Sequence, residues 1–343
     1  MNVERHPLPR HARPAPPTPP RPKQRPAVSF IVCTRDRLAV LEACIDSIRV
    51  ACRAHRAFAA ELVVVDNGSR DGTASYLSAT AAKSDIALTA ICEPRHGLAA
   101  ARNAGLARAR GQVLVFVDDD CRLDGNYLVD LERHYASGEK WLIRGGRVEI
   151  GDARDLPFTI KRCDKREVLT PAVHPGGFVL GCNMTMHREV AALIGPFDER
   201  FGAGGALRSA EDTDYLVRAM LAGMAVEYVP DMTIFHHHGR RDREAIDRLH
   251  RDYHFGNGAL CLKHLRRAPW LLRHFYWAAR AALRELAGGP RFDGDLSLSH
   301  WPIVLMNLAG AAKFAFLVLA RYPPRQARHA QKMPEAKAEA GAR

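Results

Sequence analysis

Residues 112–120 read QVLVFVDDD, an apolar run that ends in three carboxylates. A short apolar run rich in valine, bounded by polar residues, has the length and composition of a buried strand. Adjacent acids at its carboxyl end repel one another unless water or a cation neutralises them. Alternate residues of an extended segment face the same way, so Asp118 and Asp120 are expected to converge on one hard cation while Asp119 points elsewhere. Oxygen ligands beside a diphosphate suit Mg2+ or Mn2+. Taken alone, the same run also reads as a solvated turn.

Two earlier runs repeat the pattern. Val28–Cys33 ends in Thr34-Arg35-Asp36-Arg37 and leads into a helical stretch from Leu38 to about Ala54. Glu61–Asp66 stops at Asn67-Gly68-Ser69-Arg70-Asp71-Gly72, turn formers whose glycines permit positive φ. A helix through Tyr76, a strand around Ile86–Cys92 and a helix from Leu98 to Ala109 complete an alternation that predicts a parallel sheet covered by helices. Thr34 to Arg37, Asp66 to Gly72 and Asp118 to Asp120 then share the carboxyl edge of the sheet, where ligands of open parallel α/β sheets bind.

Downstream, the pattern predicts a helix near Asn126–Ser137, a strand around Trp141–Ile150, a loop over 151–176, a strand over Gly177–Met186 and a short helix over Arg188–Ile194. The Gly- and Ala-rich Phe201–Ser209 reads as a mobile flap. A helix over Glu211–Ala222 opens with Glu211-Asp212-Thr213-Asp214, and His236-His237-His238 begins 24 positions after Asp212. A carboxylate in a largely closed site can act as general base toward a hydroxyl, and an imidazole can complete a metal shell. The bland alternative is a set of helix-start acids and surface histidines.

The chain has 343 residues and a formal net charge of +12. That charge is unevenly placed: +5 over 1–26, +7 over 239–284 and +4 over 321–343, against −3 over 27–238. Basic charge confined to tails and one helical stretch suits an anionic membrane surface as well as a nucleic acid, and no nucleic-acid motif accompanies it, so no nucleic-acid partner is expected. Eight cysteines without a CxxC pair read neither as a disulfide framework nor as a zinc module, which points to reduced thiols inside a cell. Residues 1–26 hold nine prolines and no apolar run, so they read as a disordered Pro/Arg-rich tail rather than a signal peptide. Residues 321–343 read as a basic disordered tail.

In order along the chain, VSFIVCTRDR (28–37), ELVVVDNGSRDGT (61–73), GLAAARNAGLARARG (97–111), VFVDDD (115–120), GCNMTMHREVAALIGPFDERF (181–201), AEDTD (210–214) and the HHHG from His236 resemble the family-2 glycosyltransferases. The resemblance implies a GT-A type catalytic domain over 27–239, a mostly parallel nucleotide-binding sheet with flanking helices, followed by a helical extension over 240–320. It implies an inverting transfer of a sugar from a nucleoside-diphosphate sugar of UDP, GDP or dTDP type to a carbohydrate or lipid-linked acceptor, dependent on Mn2+ or Mg2+. Carried over residue by residue, Thr34, Arg35, Asp66, Arg102, Asn103 and Asp118 would bind the nucleotide sugar. Asp118, Asp120 and His236 would hold the metal, with His238 in reserve, and Asp212 would be the catalytic base. Gly181, Asn183 and Glu211 would lie on the acceptor side. The alternatives are a sugar nucleotidyltransferase, which would place a Gly-rich phosphate loop where this chain has CTRDR, and a scaffold with a degenerate transferase domain.

Past Gly239, helical patterning covers Ala245–Leu265 and Pro269–Leu286, and from Leu296 to Ala320 the only charged residue is Lys313. That length suffices for a span, but Pro302, Asn307 and Lys313 inside it fit a re-entrant or interfacial helix better, with peripheral contact at the inner face of a cell membrane; the alternatives are a helix packed on the catalytic domain or an oligomer partner, and a true span.

Overall fold

The computed structural model describes residues 27–56 and 58–320 together with Gln331 and Lys332. The 1–26 tail and the remainder of the 321–343 tail lie outside the described residues. The first half follows the expected alternation: β1 (Val28–Thr34), α1 (Leu38–Ala54), β2 (Ala60–Asp66), α2 (Thr73–Lys83), β3 (Ala87–Cys92), α3 (Leu98–Arg108) and β4 (Val113–Asp118). Next come β5 (Cys121–Leu123), α4 (Tyr127–Tyr135), β6 (Leu142–Gly145), β7 (Val148–Ile150), β8 (Glu167–Val168), β9 (Asn183–His187) and α5 (Arg188–Ile194). The remainder is α6 (Glu211–Leu221), β10 (Ala225–Tyr228), β11 (Ile234–His236), α7 (Arg243–His264), α8 (Leu272–Leu286), α9 (His300–Leu319) and β12 (Gln331–Lys332).

The large sheet has the order β12-β3-β2-β1-β4-β9-β6-β10-β8. Strands β3, β2, β1, β4, β6 and β10 run one way, and β9, β8 and β12 run against them. The central strands are apolar on both faces because helices cover both. One face packs Leu41, Ile45 and Ile48 of α1 with Leu128 and Leu131 of α4, and the other packs α3, α5 and α6. Gly105 lets α3 lie directly on β1, where a Cβ would come within 2.4 Å of Ile31. A second, three-stranded sheet has the order β5-β11-β7.

Two sequence expectations fail. The single strand around Trp141–Ile150 is two strands in different sheets, broken at Gly145-Gly146, where the main chain runs so close to Met232 that a Cβ on Gly146 would sit 1.9 Å from its carbonyl oxygen. The strand expected over Gly177–Met186 begins only at Asn183. Gly177 has φ +76°, and turn bonds from Phe178 N–H to the Pro175 oxygen and from Asn183 N–H to the Leu180 oxygen hold the preceding stretch. Phe178 and Val179 are buried as turn residues, which in sequence look like strand residues. Within 321–343, Gln331–Lys332 forms an antiparallel edge strand on β3, which the reading as a disordered tail did not foresee.

The C-terminal helices share a core with the sheet domain. Phe201, Leu207 and Val217 pack with Phe255, Leu260, Phe314 and Leu317 of α7 and α9. Two glycines bring α7 and α9 together, since a Cβ on Gly258 or Gly310 would fall within 2 Å of a carbonyl oxygen of the facing helix. By length and composition α9 is the one described helix able to cross a membrane, and 28% of its apolar window is buried. Its other face leaves Leu305, Leu308, Phe316, Val318 and Leu319 exposed.

Candidate active site

A cavity of about 1430 Å³ opens at the carboxyl ends of β1 and β4 and runs under α7 and α8. Both acidic clusters reach it. Strand β4 stops at Asp118, and residues 119–120 form a turn into β5. The strict alternation expected of an extended strand is therefore lost. Asp118 accepts from Arg102 Nη2 at 3.2 Å, whereas Asp120 lies between Arg37 Nη2 at 2.7 Å and His236 Nε2 at 3.2 Å. Asp119, rather than pointing away, accepts from Thr34 Oγ1 at 2.7 Å and pairs with Arg37 Nη1 at 3.1 Å.

These contacts set the protonation of the cluster. Burial opposes ionisation of Asp120, but the hydrogen bond and charge of His236, with Arg37, hold it well below the ordinary carboxylate range. Burial would lower His236, yet its bond to Asp120 and the surrounding negative charge raise it to about 9. Asp119 is pushed up to about 7 by burial, against the pull of Arg37 and Thr34. Asp118 and Asp120 on the cavity wall offer the oxygen donors that a hard divalent cation takes, and His236 could join them only as the neutral imidazole, released from its pairing with Asp120.

The second cluster opens α6. Its preceding residues Arg208 and Ala210 both have φ +69°, a left-handed conformation costly for non-glycine residues, which turns the helix start into the cavity. Asp212 Oδ2 accepts from Gly181 N–H at 3.0 Å and Oδ1 from Thr213 N–H at 2.6 Å. A Cβ at Gly181 would come within 2.7 Å of Arg102 Nη2 and 2.9 Å of Asp212 Oδ2 and would displace one of those side chains. Arg102 also donates to Glu211 at 2.8 Å and so bridges the two clusters. Burial, with Asp212 adding repulsion and Arg102 opposing, lifts Glu211 to about 7. Asp214 faces the other way, into Lys263 at 2.6 Å, His264 at 2.8 Å and Arg218 at 2.9 Å. Burial works against its charge, but His264 and the two cations hold it well below the ordinary range.

Several expected site residues lie elsewhere. Asp66 accepts from Ser69 N–H and shapes its turn without lining the cavity, which its neighbour Asn67 does. Asn103 is spent on Phe197 and Glu199. Asn183 is fully buried, its amide saturated by Tyr127, Arg147 and Met232. His238 bonds Arg240 N–H and lies 3.9 Å from Asp155. Arg35 lines the cavity, pairing with Asp36 at 3.6 Å. The segment Phe201–Ser209 is tied down, with Leu98 N–H bonding the Ala203 oxygen at 2.9 Å and Phe201 and Leu207 buried. Sequence reading placed Arg37 at the carboxyl edge but gave it no role, although three adjacent acids on a strand end require a nearby cation. It also missed the far arm of the cavity, lined by His174, His250, His254, His274 and Trp277; those residues come from a loop and two helices, and no local spacing links them.

A mostly parallel α/β sheet with carboxylates on a cavity at its carboxyl edge is the arrangement of the GT-A fold. The mannosyltransferase PcManGT of Pyrobaculum calidifontis, solved with GDP-Man and Mn2+, shares the fold, with TM-score 0.54 and 20% identity over 86% of this chain and 88% of that one. The chain matches the family model Glycosyl transferase family 2 over residues 29–192. It is 26% identical over 214 residues to the glycosyltransferase AglE of Haloferax volcanii and 28% identical over 212 residues to EpsH, a putative glycosyltransferase of Bacillus subtilis. Each match covers 60% of this chain, and 66% and 59% of those relatives' own lengths.

Proposed function

We propose that the protein transfers a sugar from a nucleoside-diphosphate sugar to an acceptor hydroxyl with inversion at the anomeric carbon, in polysaccharide or glycoconjugate assembly. The observation that carries this reading is Asp212, held by the Gly181 and Thr213 amides on the cavity wall next to Glu211, which Arg102 links to Asp118. The Asp212 carboxylate takes the proton of the acceptor hydroxyl, whose oxygen attacks the anomeric carbon as the nucleoside diphosphate leaves. Arg35 and Arg37 border the phosphate side, and Gly181 and Glu211 the acceptor side. Asp118 and Asp120, with His236 as neutral imidazole, would hold Mn2+ or Mg2+, which would supply positive charge for the leaving diphosphate. The complete set of carboxylates and histidine favours an enzyme over a degenerate scaffold, and the absence of glycine in Cys33–Arg37 disfavours a nucleotidyltransferase.

We further place the protein at the inner face of a cell membrane, on a carbohydrate or lipid-linked acceptor. Leu272, Tyr276, Trp277, Leu283 and Leu286 of α8 are exposed beside Arg273, Arg280 and Arg284, and α9 adds its own exposed apolar face. An exposed apolar face with basic neighbours is the pattern of an interfacial helix pair.

The test is a panel of UDP-, GDP- and dTDP-sugars with Mn2+ or Mg2+, read by thermal shift and donor hydrolysis in wild type, Asp120→Ala and Asp212→Asn. One donor stabilises the wild type and Asp212→Asn but not Asp120→Ala, and both variants lose turnover. No nucleotide-dependent shift under any condition overturns the reading.

A further inference from the structure

Behind Asp120 lie two thiols that the proposed reaction does not use. The Cys121 and Cys182 thiols and an imidazole nitrogen of His236 all lie within 4.8 Å of one another, and all three residues are buried. The fold brings them from three places: Cys121 begins β5, His236 ends β11, its antiparallel partner in the register His236 to Cys121, and Cys182 ends the turn that precedes β9. Cys182 and His236 line the cavity, so an ion has a route in. Asp120 Oδ1 lies 3.8 Å from Cys121 Sγ and 3.2 Å from His236 Nε2, at the rim of the group.

We infer that Cys121, Cys182 and His236 form a second cation site, selective for thiophilic ions such as Zn2+, Co2+ or Cd2+, which shares His236 with the hard-cation site on Asp118 and Asp120. Two sulfurs and an imidazole are the donor set of zinc, not of magnesium or manganese. With Zn–S bonds of about 2.3 Å, tetrahedral geometry separates two sulfurs by about 3.8 Å, so the group closes on an ion by at most about 1 Å. Asp120 or a water completes four ligands. Both thiols release their protons to solvent as the ion binds. Because one imidazole cannot serve both ions, occupancy by a soft cation withdraws His236 from the hard-cation site, and a thiophilic ion inhibits the transferase. The inhibitory consequence rests on the function proposed above; the binding site does not.

The test is titration of the metal-free full-length chain with Co2+, followed by visible and near-ultraviolet absorption. One equivalent gives tetrahedral ligand-field bands and a thiolate-to-cobalt charge-transfer band, both removed by Zn2+. Cys121→Ser and Cys182→Ser each weaken Co2+ binding at least about tenfold and lose charge-transfer intensity. Both variants keep the wild-type thermal shift with nucleotide and Mn2+, which shows that they fold. No charge-transfer band in the folded wild type, or a band unchanged in both cysteine variants, overturns the site and leaves the two cysteines as core packing. If the cobalt bands appear as expected but no nucleotide and Mn2+ shift is found in the wild type, the thiol site stands and the transferase reading falls. Turnover unaffected by a Zn2+ concentration that fills the site overturns the competition for His236.

Discussion

Asp118–Asp120 and Glu211–Asp214 face each other across Arg102, and each holds one carboxylate kept ionised by cations and one pushed to about 7 by burial. The origin of the cations differs. Those of the first cluster, Arg37 and His236, line the cavity, and the Arg37 side chain is 40% exposed. Two of those around Asp214, Lys263 and His264, come from the last turn of α7, away from the cavity. The first set can give way to a ligand. The second is a fixed clamp that ties the helix carrying Asp212 to the C-terminal helices.

The strongest way to break this contrast is at its shared centre. Asp212→Asn lowers turnover by about 10²–10⁴-fold, the usual contribution of a general base, while nucleotide and Mn2+ still raise the melting temperature. Retained turnover would move the base to Glu211. Next in size, Asp214→Asn leaves Lys263 and His264 without their buried carboxylate and costs about 3–5 kcal/mol in urea unfolding. Asp119→Asn, whose partner Arg37 is 40% exposed, costs less, about 1 kcal/mol. Equal losses in the two would erase the distinction between clamp and exchangeable site.

Gly181→Ala forces a methyl group against Arg102 and Asp212 and lowers turnover about 10²-fold, since misplacement of about 1 Å costs that much. Steady-state kinetics at saturating donor check it. The clamp also has a pH signature. Asp214 is held below its ordinary carboxylate value, so its contribution is fully present above that range and is lost as pH falls through and below it. The stability gap between wild type and Asp214→Asn, measured by urea unfolding, therefore narrows from pH 5 toward pH 3. Smallest in solution is Phe316→Asp on the exposed face of α9, which changes stability by about 0.5 kcal/mol or less. Its effect is read with anionic liposomes, where bound protein falls; unchanged binding would remove the membrane face from the proposal.

The first half of the fold was legible because buried parallel strands and their helices leave strong periodic signals: α1 and α5 match their expected bounds, and β1, β2 and β4 fall within a residue of theirs. The stretch Trp141–Met186 was not, because turn residues such as Phe178 and Val179 are as apolar as strand residues, and the break at Gly145-Gly146 depends on Met232, far along the chain. Among site residues, Thr34, Arg35, Arg102, Asp118, Asp120, Gly181, Glu211, Asp212 and His236 do line one cavity. Asp66, Asn103 and Asn183, carried over from the family resemblance, do not line it, because each amide or carboxylate is consumed by neighbouring main chain or core side chains.

The sequence by itself determined the layered α/β domain and the types of chemical group at its carboxyl edge, because strand and helix periods and strand ends are local properties. Only the tertiary structure decided the pairings: Arg37 with Asp119 and Asp120, Arg102 between the two clusters, the C-terminal helices clamped to α6, and two cysteines beside His236. Such pairings depend on distances between residues up to about a hundred positions apart, and the charge and donor set of a site emerge only when the chain has closed on itself.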